Sequence, residues 1–519
     1  MFRFLKKKRL EAKGLSCGKT RLSKTGNRFL EHLEESLLMR AAVLAVASLI
    51  LATFCFFEGS PDTLRRFLLS LIVLALVVTL PLVSKDSPLV KNSRLLLFLI
   101  VTLLQLGMGE LIQGHCEAGL SQILIPYALA PIALSVLLGP QTAFFACVTG
   151  ALWWMVLLHK SDFNSLLLLL GGGLAGILTT LRVRRRSRLL RAGLSSGIAV
   201  AVLYLFCISF PLIQIGWSLV GLLPWLQIGI AILGAIGVGL FTGVVISGSL
   251  PLIERLFGIT TDISLMEMAD LNHPLLRRLS LEAPGTYHHS LAMANLAEAC
   301  AEKVGANSSL CRVSAYFHDI GKLAKPDYFT ENIAPGENPH DELTPTMSSL
   351  VILSHVKEGV DLGLRHRLNG RIIDAIRQHH GTTLVEFFYQ RACRQERDAQ
   401  SGVGLINANP EDIPRVSEES YRYPGPKPRS VETVILGLAD AAESASRSLE
   451  RPTIQRLDDL VHDLLQDRIN DGQYDEAPVT LCQLQEIAAT LVSSLGSMLH
   501  TRIAYGRRKG DAKEIKEED

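Results

Sequence analysis

The chain has 519 residues, long enough for two or more domains, and its 52 Lys and Arg nearly balance 50 Asp and Glu, leaving a formal charge of +2. That balance carries no footprint for a nucleic-acid polymer. Nine cysteines without a CxxC pair argue against a disulfide framework or a zinc knuckle and read as small apolar side chains in a reducing compartment.

The average conceals a division. Long apolar runs fall before about residue 250, while His, Asp and Glu concentrate after it. Residues 1–36 form a basic arm, with Lys6, Lys7, Lys8 and Arg9 in one run. A signal peptide does not fit, because the arm is long and the next apolar run is long enough to span. Apolar segments then recur at 37–57, 66–84, 95–113, 120–138, 140–158, 165–181, 194–215 and 225–247. Most reach the ~20 residues needed to cross the hydrocarbon core. Residues 37–247 are therefore expected to form a membrane domain of about eight helices, with the division at Gly139-Pro140 the least marked.

Orientation follows from the basic connections. The second carries Lys85, Lys91 and Arg94, and the sixth carries Arg182, Arg184, Arg185, Arg186, Arg188 and Arg191. This places the N-terminus inside, and eight crossings return the chain to the cytoplasm. Arg65 and Arg66 run against the pattern but abut a helix end, where they can snorkel. Glu110, three residues from Gln113, reads as an interface position, and Gly171, Gly172, Gly173 and Gly176 permit close helix packing.

Residues 248–283 are an amphipathic connector. The stretch Pro251 to Phe257 is expected to leave the bilayer after Ser247. Residues 261–283 alternate acids and leucines in a helix-like pattern, with His273 at the surface before Pro274.

The soluble half, 284–505, is built around Tyr316-Phe317-His318-Asp319-Ile320-Gly321-Lys322. A His and an Asp side by side in so apolar a context are costly unless something binds them. Imidazole and carboxylate together suit Mn, Fe or Zn better than Ca. His289, His355, His379, His380 and Asp440 complete a set of seven potential ligands, in the order H…HD…H…HH…D, which points to a two-metal hydrolase site. His288 points about 100° away from His289 on a helix and is not expected to share its ion. His379 and His380 fall in the last turn of a helix, and Lys322 one turn along the same face from His318. On the helix near 431–449, Asp440, Ser444 and Arg447 form one polar stripe, whereas Glu443 and Glu450 read as solvated acids. Residues 391–420 read as a polar, irregular and flexible insertion, and 506–519 as a charged disordered tail. The stiff turn Tyr423-Pro424-Gly425-Pro426-Lys427-Pro428 is either loop punctuation or substrate-facing.

Six stretches carry a family resemblance. They are Glu-Ala-Pro-Gly-Thr-Tyr-His-His-Ser (282–290), His-Asp-Ile-Gly-Lys (318–322), Asn-Pro-His-Asp-Glu-Leu-Thr-Pro (338–345), Ser-His-Val-Lys (354–357), His-His-Gly-Thr-Thr (379–383) and Tyr-Pro-Gly-Pro-Lys-Pro (423–428). With them the chain resembles the HD-domain metal-dependent phosphohydrolases, specifically the bacterial membrane-anchored 7TM-HD phosphodiesterases that hydrolyse cyclic di-AMP. It departs in one respect: only Glu58 to Arg66 stands where that family has a large extracellular domain.

The resemblance implies an all-α protein, a polytopic helical membrane domain followed by a cytoplasmic all-helical HD domain. It implies two divalent transition metals, Mn or Fe first and Co or Zn after them. His289, His318, Asp319 and Asp440 would hold one metal; His355, His379, His380 and a bridging Asp319 the other. A metal-activated hydroxide would open cyclic di-AMP to linear pApA, with Asp319 and Lys322 as catalytic residues. Lys322, Tyr423, Lys427, Ser444 and Arg447 would contact substrate. The implied setting is the bacterial inner membrane, with both termini cytoplasmic, a lipid bilayer as partner, and a homodimer through the membrane or HD domains left open. Two other readings stand beside it: an HD nucleotidohydrolase acting on dNTP or a guanosine alarmone, and a membrane receptor that binds nucleotide without turnover.

Overall fold

The computed structural model describes residues 34, 36–56, 62–83, 87–116, 118–157, 163–181, 183–209, 224–333, 338–406, 415–449 and 453–500. Nearly all of the basic arm, Glu58 and the charged tail lie outside the described residues. The chain divides into two compact units, Met1–Met266 and Glu267–Asp519. Among the described residues the only extended pairing is an isolated antiparallel bridge between Leu384 and Arg422. The rest of the regular structure is helical.

The first unit contains α1 (Leu37–Phe56), α2 (Thr63–Val83), α3 (Asn92–His115), α4 (Ala118–Leu124), α5 (Leu129–Leu138), α6 (Pro140–Leu157), α7 (Phe163–Thr179), α8 (Ser187–Ser209) and α9 (Pro224–Phe257). Within the described residues each expected apolar segment is largely helical, the fourth being split into α4 and α5. By length and composition, six stretches among the described residues are apolar enough to cross a membrane, and α7 is a shorter apolar helix. Leu49, Ile72, Leu111, Val202 and Leu233 point outward, fully apolar and exposed. A water-facing helix would carry polar residues there; a lipid-facing one needs none.

The α4–α5 break is stabilised from a neighbouring helix. Buried Gln105 on α3 donates to Tyr127 O (3.1 Å) and accepts from Ala130 N (2.7 Å), satisfying groups that an unbroken helix would pair internally. Gly172, Gly173 and Gly176 let α7 approach Val200, Pro131 and Ile132 closely, as their small size suggests. Glu110 is half-buried, little more than one turn before the end of α3.

One expectation about the connector is corrected. The helix that begins at Pro224 runs on past Ser247, through Pro251 to Phe257. Proline lacks an N–H, so the carbonyl four residues back, Ser247 O, loses its helical donor. The Arg186 guanidinium lies 3.5 Å from that oxygen and offers a substitute. Residues 261–283 are two short helices, α10 (Asp262–Met268) and α11 (Pro274–Glu282). His273 is half-buried rather than superficial: its Nδ1 caps α11 by accepting from Leu275 N (3.2 Å), and its ring meets Phe317 edge-on.

The second unit continues with α12 (Pro284–Val304), α13 (Ser308–Phe317), α14 (Pro345–Arg365), α15 (Gly370–Gln378), α16 (Glu386–Ile406), α17 (Val431–Ser446), α18 (Ile454–Asn470) and α19 (Leu481–His500). Local sequence explains the helix starts. Asn307, Thr344 and Asn369 accept from backbone N–H groups in the first turns of α13, α14 and α15, and Ser430 with Thr433 closes a capping box on α17. The buried core draws on Met293, Ala297, Cys300, Val313, Phe317, Ile372, Ile376, Val434, Leu438 and Ile487. Residues 391–406, expected to be irregular, belong to α16; 407–414 lie outside the described residues. The apolar anchors Phe388 and Ala392 seat that helix on Tyr421, a long-range contact that its polar composition hides.

Candidate metal centre

Six elements of the second unit converge on one point. His289 comes from α12, His318 follows the last residue of α13, and Asp319 opens the 3₁₀ segment Ile320–Ala324. His355 comes from α14 and Asp440 from α17, while His379 and His380 follow α15 rather than lying within its last turn. Close backbone approach sets the spacing. A methyl group on Gly437 would press on the carbonyl of His379, so glycine there lets α17 bring Asp440 up to the His379-His380 turn.

Three imidazoles share one orientation device. Nδ1 of His318, His355 and His379 lies 2.8, 2.7 and 2.8 Å from the carbonyl oxygens of Ala315, Ile352 and Ile376, each three residues back. A carbonyl only accepts, so Nδ1 carries the proton and Nε2 presents a lone pair to the centre. His289 is set the same way by a carboxylate: Glu443 Oε2 accepts from its Nδ1 at 2.6 Å, leaving Nε2 3.1 Å from Asp440 Oδ1. His318 Nε2, His355 Nε2, His379 Nε2 and Asp319 Oδ1 are all buried without a hydrogen-bond partner.

The two oxygens of Asp319 face different neighbours. Oδ2 is 3.2 Å from His318 Nε2, whereas Oδ1 is 3.4 Å from His355 Nε2 and 3.8 Å from His379 Nε2. Potential ligand atoms therefore fall into two groups, His289, His318, Asp319 and Asp440, and Asp319, His355, His379 and His380, each within 4.8 Å. Buried lone pairs facing one another repel unless a cation lies between them. The donor set of imidazole nitrogens and carboxylate oxygens fits two divalent transition metals.

The charge balance says the same. Burial opposes a positive His318, yet Asp319 and Asp440 outweigh it and hold its pKa up to about 10. Burial and then the neighbouring His318 push His379 down to about 3. Burial alone would raise Asp319 and Asp440, but His318 with Lys322 and His289 with His318, respectively, hold them well below the usual carboxylate range. Without metal, a proton on His318 supplies the cation that the carboxylates demand. Metal uptake should therefore release protons near neutral pH and tighten as pH rises toward about 10. Titrating metal-free protein in weakly buffered solution with a pH indicator measures this; uptake without proton release would remove His318 from the ligand set.

Lys322 is placed differently from the expectation. The α-helix has already ended, and the 3₁₀ turn brings Lys322 Nζ to 2.8 Å from Asp319 Oδ2 and 2.6 Å from Glu331 Oε1. Burial works against its charge, but Asp319 and Glu331 outweigh burial and raise its pKa. Of the other expected substrate contacts, Tyr423 joins the cluster, its ring stacked on His380 at 4.2 Å. Lys427 Nζ donates to Gly472 O (2.7 Å) and lies 3.3 Å from Asp475, tying its loop down. Arg447 is engaged by Glu443 Oε1 at 2.6 Å, and Ser444 is exposed. His288 is exposed as well, about 100° around α12 from His289.

Sequence reasoning missed two residues. Glu443, read as a solvated acid, is buried and orients His289. Its spacing of three from Asp440 was the available signal, since i and i+3 share a helix face. Glu331 gave no signal, because it sits in a short turn brought to Lys322 only by tertiary packing.

Two family descriptions match the chain. Residues 60–261 match the 7TM receptor with intracellular HD hydrolase, and residues 286–445 match the HD domain, which implies divalent-metal binding. The cyclic-di-AMP phosphodiesterase PgpH of Bacillus subtilis (strain 168) is 36% identical over 422 residues, covering 80% of this chain and 56% of that protein. Its namesake from Listeria monocytogenes serotype 1/2a is 36% identical over 445 residues, covering 85% of this chain and 58% of that protein. The chain thus spans little more than half the length of the curated relatives it matches. The crystal structure of the L. monocytogenes PgpH HD domain is 43% identical, with a TM-score of 0.40, and covers 44% of this chain and 100% of its own. A second crystal structure of that domain holds cyclic-di-AMP. Matched on both its apolar helices and its histidine-rich unit, the chain belongs to the family of 7TM receptors with an intracellular HD hydrolase domain.

Proposed function

We propose that this chain is a membrane-bound, metal-dependent phosphodiesterase that opens cyclic di-AMP to linear pApA. One observation carries the reading: two buried ligand groups share Asp319, each facing a different oxygen of that carboxylate. The activity named for the two PgpH relatives supports the choice of substrate. His289, His318, Asp319 and Asp440 would hold one metal; Asp319, His355, His379 and His380 the other. Mn or Fe suit this set first, with Co and Zn after them. When bound, such a pair lowers the pKa of water and neutralises charge on the phosphoryl oxygens.

The chain's own residues supply the rest. Asp319 fixes the spacing of the two groups, and the backbone carbonyls keep three imidazoles in the ligating tautomer. Lys322 places a positive charge beside Asp319, where it stabilises the charge that grows on a phosphoryl oxygen. Tyr423 backs His380 with a flat ring and keeps that imidazole from rotating away. The basic second and sixth connections support a cytoplasmic position for this unit and for both termini.

The test uses full-length protein in detergent, loaded with Mn or Fe and challenged in parallel with cyclic di-AMP, cyclic di-GMP and dGTP. Conversion of cyclic di-AMP to pApA is the expected result. Preferential dGTP cleavage would favour a nucleotidohydrolase, and tight binding of cyclic di-AMP without turnover would favour a receptor. Lys322→Met should leave metal content unchanged and lower kcat/KM roughly ten- to a hundredfold, the worth of one charge-assisted contact of ~1.5–3 kcal/mol. Loss of metal in that variant would make Lys322 a support of the centre instead.

A further inference from the structure

We propose that Glu331 is a positioning residue: it holds Lys322 in place and shares the pull of its ammonium, so that Asp319 keeps its charge for the metals. The inference rests on the two-metal reading above. Lys322 Nζ has two carboxylate partners, and the distance to Glu331 (2.6 Å) is as short as that to Asp319 (2.8 Å). The Phe329 ring lies 4.9 Å from the same nitrogen. With Glu331 absent, the ammonium would fall wholly on Asp319, competing with the metals for the one carboxylate that serves both groups. Arg447 has a comparable arrangement: it is paired with Glu443, the carboxylate that orients His289.

Glu331 is built in place from its backbone outward. Its Oε1 accepts from Thr286 Oγ1 at 2.9 Å, three residues before His289 on α12. The adjacent Asn332 accepts from Thr286 N (3.1 Å) and donates to Thr286 Oγ1 (2.9 Å). The turn Thr330–Asn332 is thus locked to the start of the helix that carries His289. The Glu331 side chain is only 17% exposed. Burying a carboxylate and a lysine together seldom stabilises a fold, because desolvation offsets their attraction. Stability alone is therefore a poor reason for this pair, and charge control of Asp319 is a better one.

The test compares Mn binding to metal-free full-length wild type, Glu331→Gln, Glu331→Asp, Lys322→Met and the Lys322→Met/Glu331→Gln double variant, with thermal melting as a folding control. Glutamine keeps the shape and the acceptor for Thr286 but not the charge. Glu331→Gln should weaken Mn binding about tenfold, the usual scale for a partner behind a ligand. It should lower kcat at limiting metal without raising KM for cyclic di-AMP, since the lysine is freed. Glu331→Asp should recover part of the Mn affinity. In the Lys322→Met background the Glu331→Gln effect should largely vanish. Equal losses in both backgrounds, or wild-type Mn affinity in Glu331→Gln, would overturn the inference. Should Glu331→Gln melt out, Glu331→Asp decides: a loss of Mn affinity well short of tenfold supports the charge role, and a full tenfold loss despite the retained charge opposes it. Wild type that binds none of Mn, Fe, Co or Zn would overturn the two-metal reading itself, which separates the two failures.

Discussion

Asp319→Ala is expected to abolish cyclic di-AMP hydrolysis, by at least about a thousandfold, and to reduce bound metal from about two ions per chain to one or fewer. Asp319 is buried, and its two oxygens divide between the ligand groups: Oδ2 faces His318 at 3.2 Å, and Oδ1 faces His355 at 3.4 Å. Removing it takes one negative charge from both groups at once. The second group is hit harder, because His355, His379 and His380 are then three neutral imidazoles with no carboxylate of their own. The first retains Asp440 with His289 and His318. Asp319→Asn separates charge from shape, since the amide keeps one oxygen and the side-chain volume. It should lose the second metal almost as completely. Mass spectrometry of metals and a turnover assay on the same preparations check both variants. An active enzyme that retains two metals would remove the bridging role of Asp319.

The membrane helices were legible in the sequence because a bilayer imposes a length, and a water-soluble core seldom needs apolar runs that long. The seven candidate ligands were legible because buried His and Asp are too costly to keep without a partner. What escaped was whatever depended on a distant side chain. Helix α9 continues through Pro251 with an Arg186 guanidinium near the orphaned carbonyl, a partner 61 residues away. Glu331 meets Lys322 only because a turn is bound to Thr286, and Glu443 is buried only because His289 from another helix faces it. Residues 391–406 read as irregular because their polar face dominates the composition, while Phe388 and Ala392 do the packing. Lys322 was placed by extending α13 one turn too far. The chain leaves the α-helix after Phe317, and the tighter 3₁₀ turn aims Lys322 back at Asp319.

Gly321→Ala is expected to open the second ligand group while the rest of the unit stays folded. A methyl group at Gly321 would overlap the carbonyl oxygen of His355 and come within 2.5 Å of Gly359 N. Both obstacles are backbone atoms of α14, so no side-chain rotation relieves the clash. Gly359 meets Gly321 in turn, its own Cβ position 3.3 Å from Gly321 N. The segment after Asp319 must therefore withdraw from α14, carrying Asp319 away from His355. Overpacking of this kind costs ~1–3 kcal/mol, which lowers Tm by roughly 2–4 °C per kcal/mol in a unit of this size. Metal content should fall from about two to about one per chain, with hydrolysis down at least about a hundredfold. Gly363→Ala is the matched control on the same helix. Its nearest neighbours are the flexible side-chain ends of Leu368, Ile373 and Ile376 at 3.4–3.5 Å. There alanine should leave Tm, metal content and turnover close to wild type, because small shifts of those ends make room. If Gly321→Ala keeps both metals and full turnover, the backbone contact between the His-Asp turn and α14 does not set the distance from Asp319 to His355.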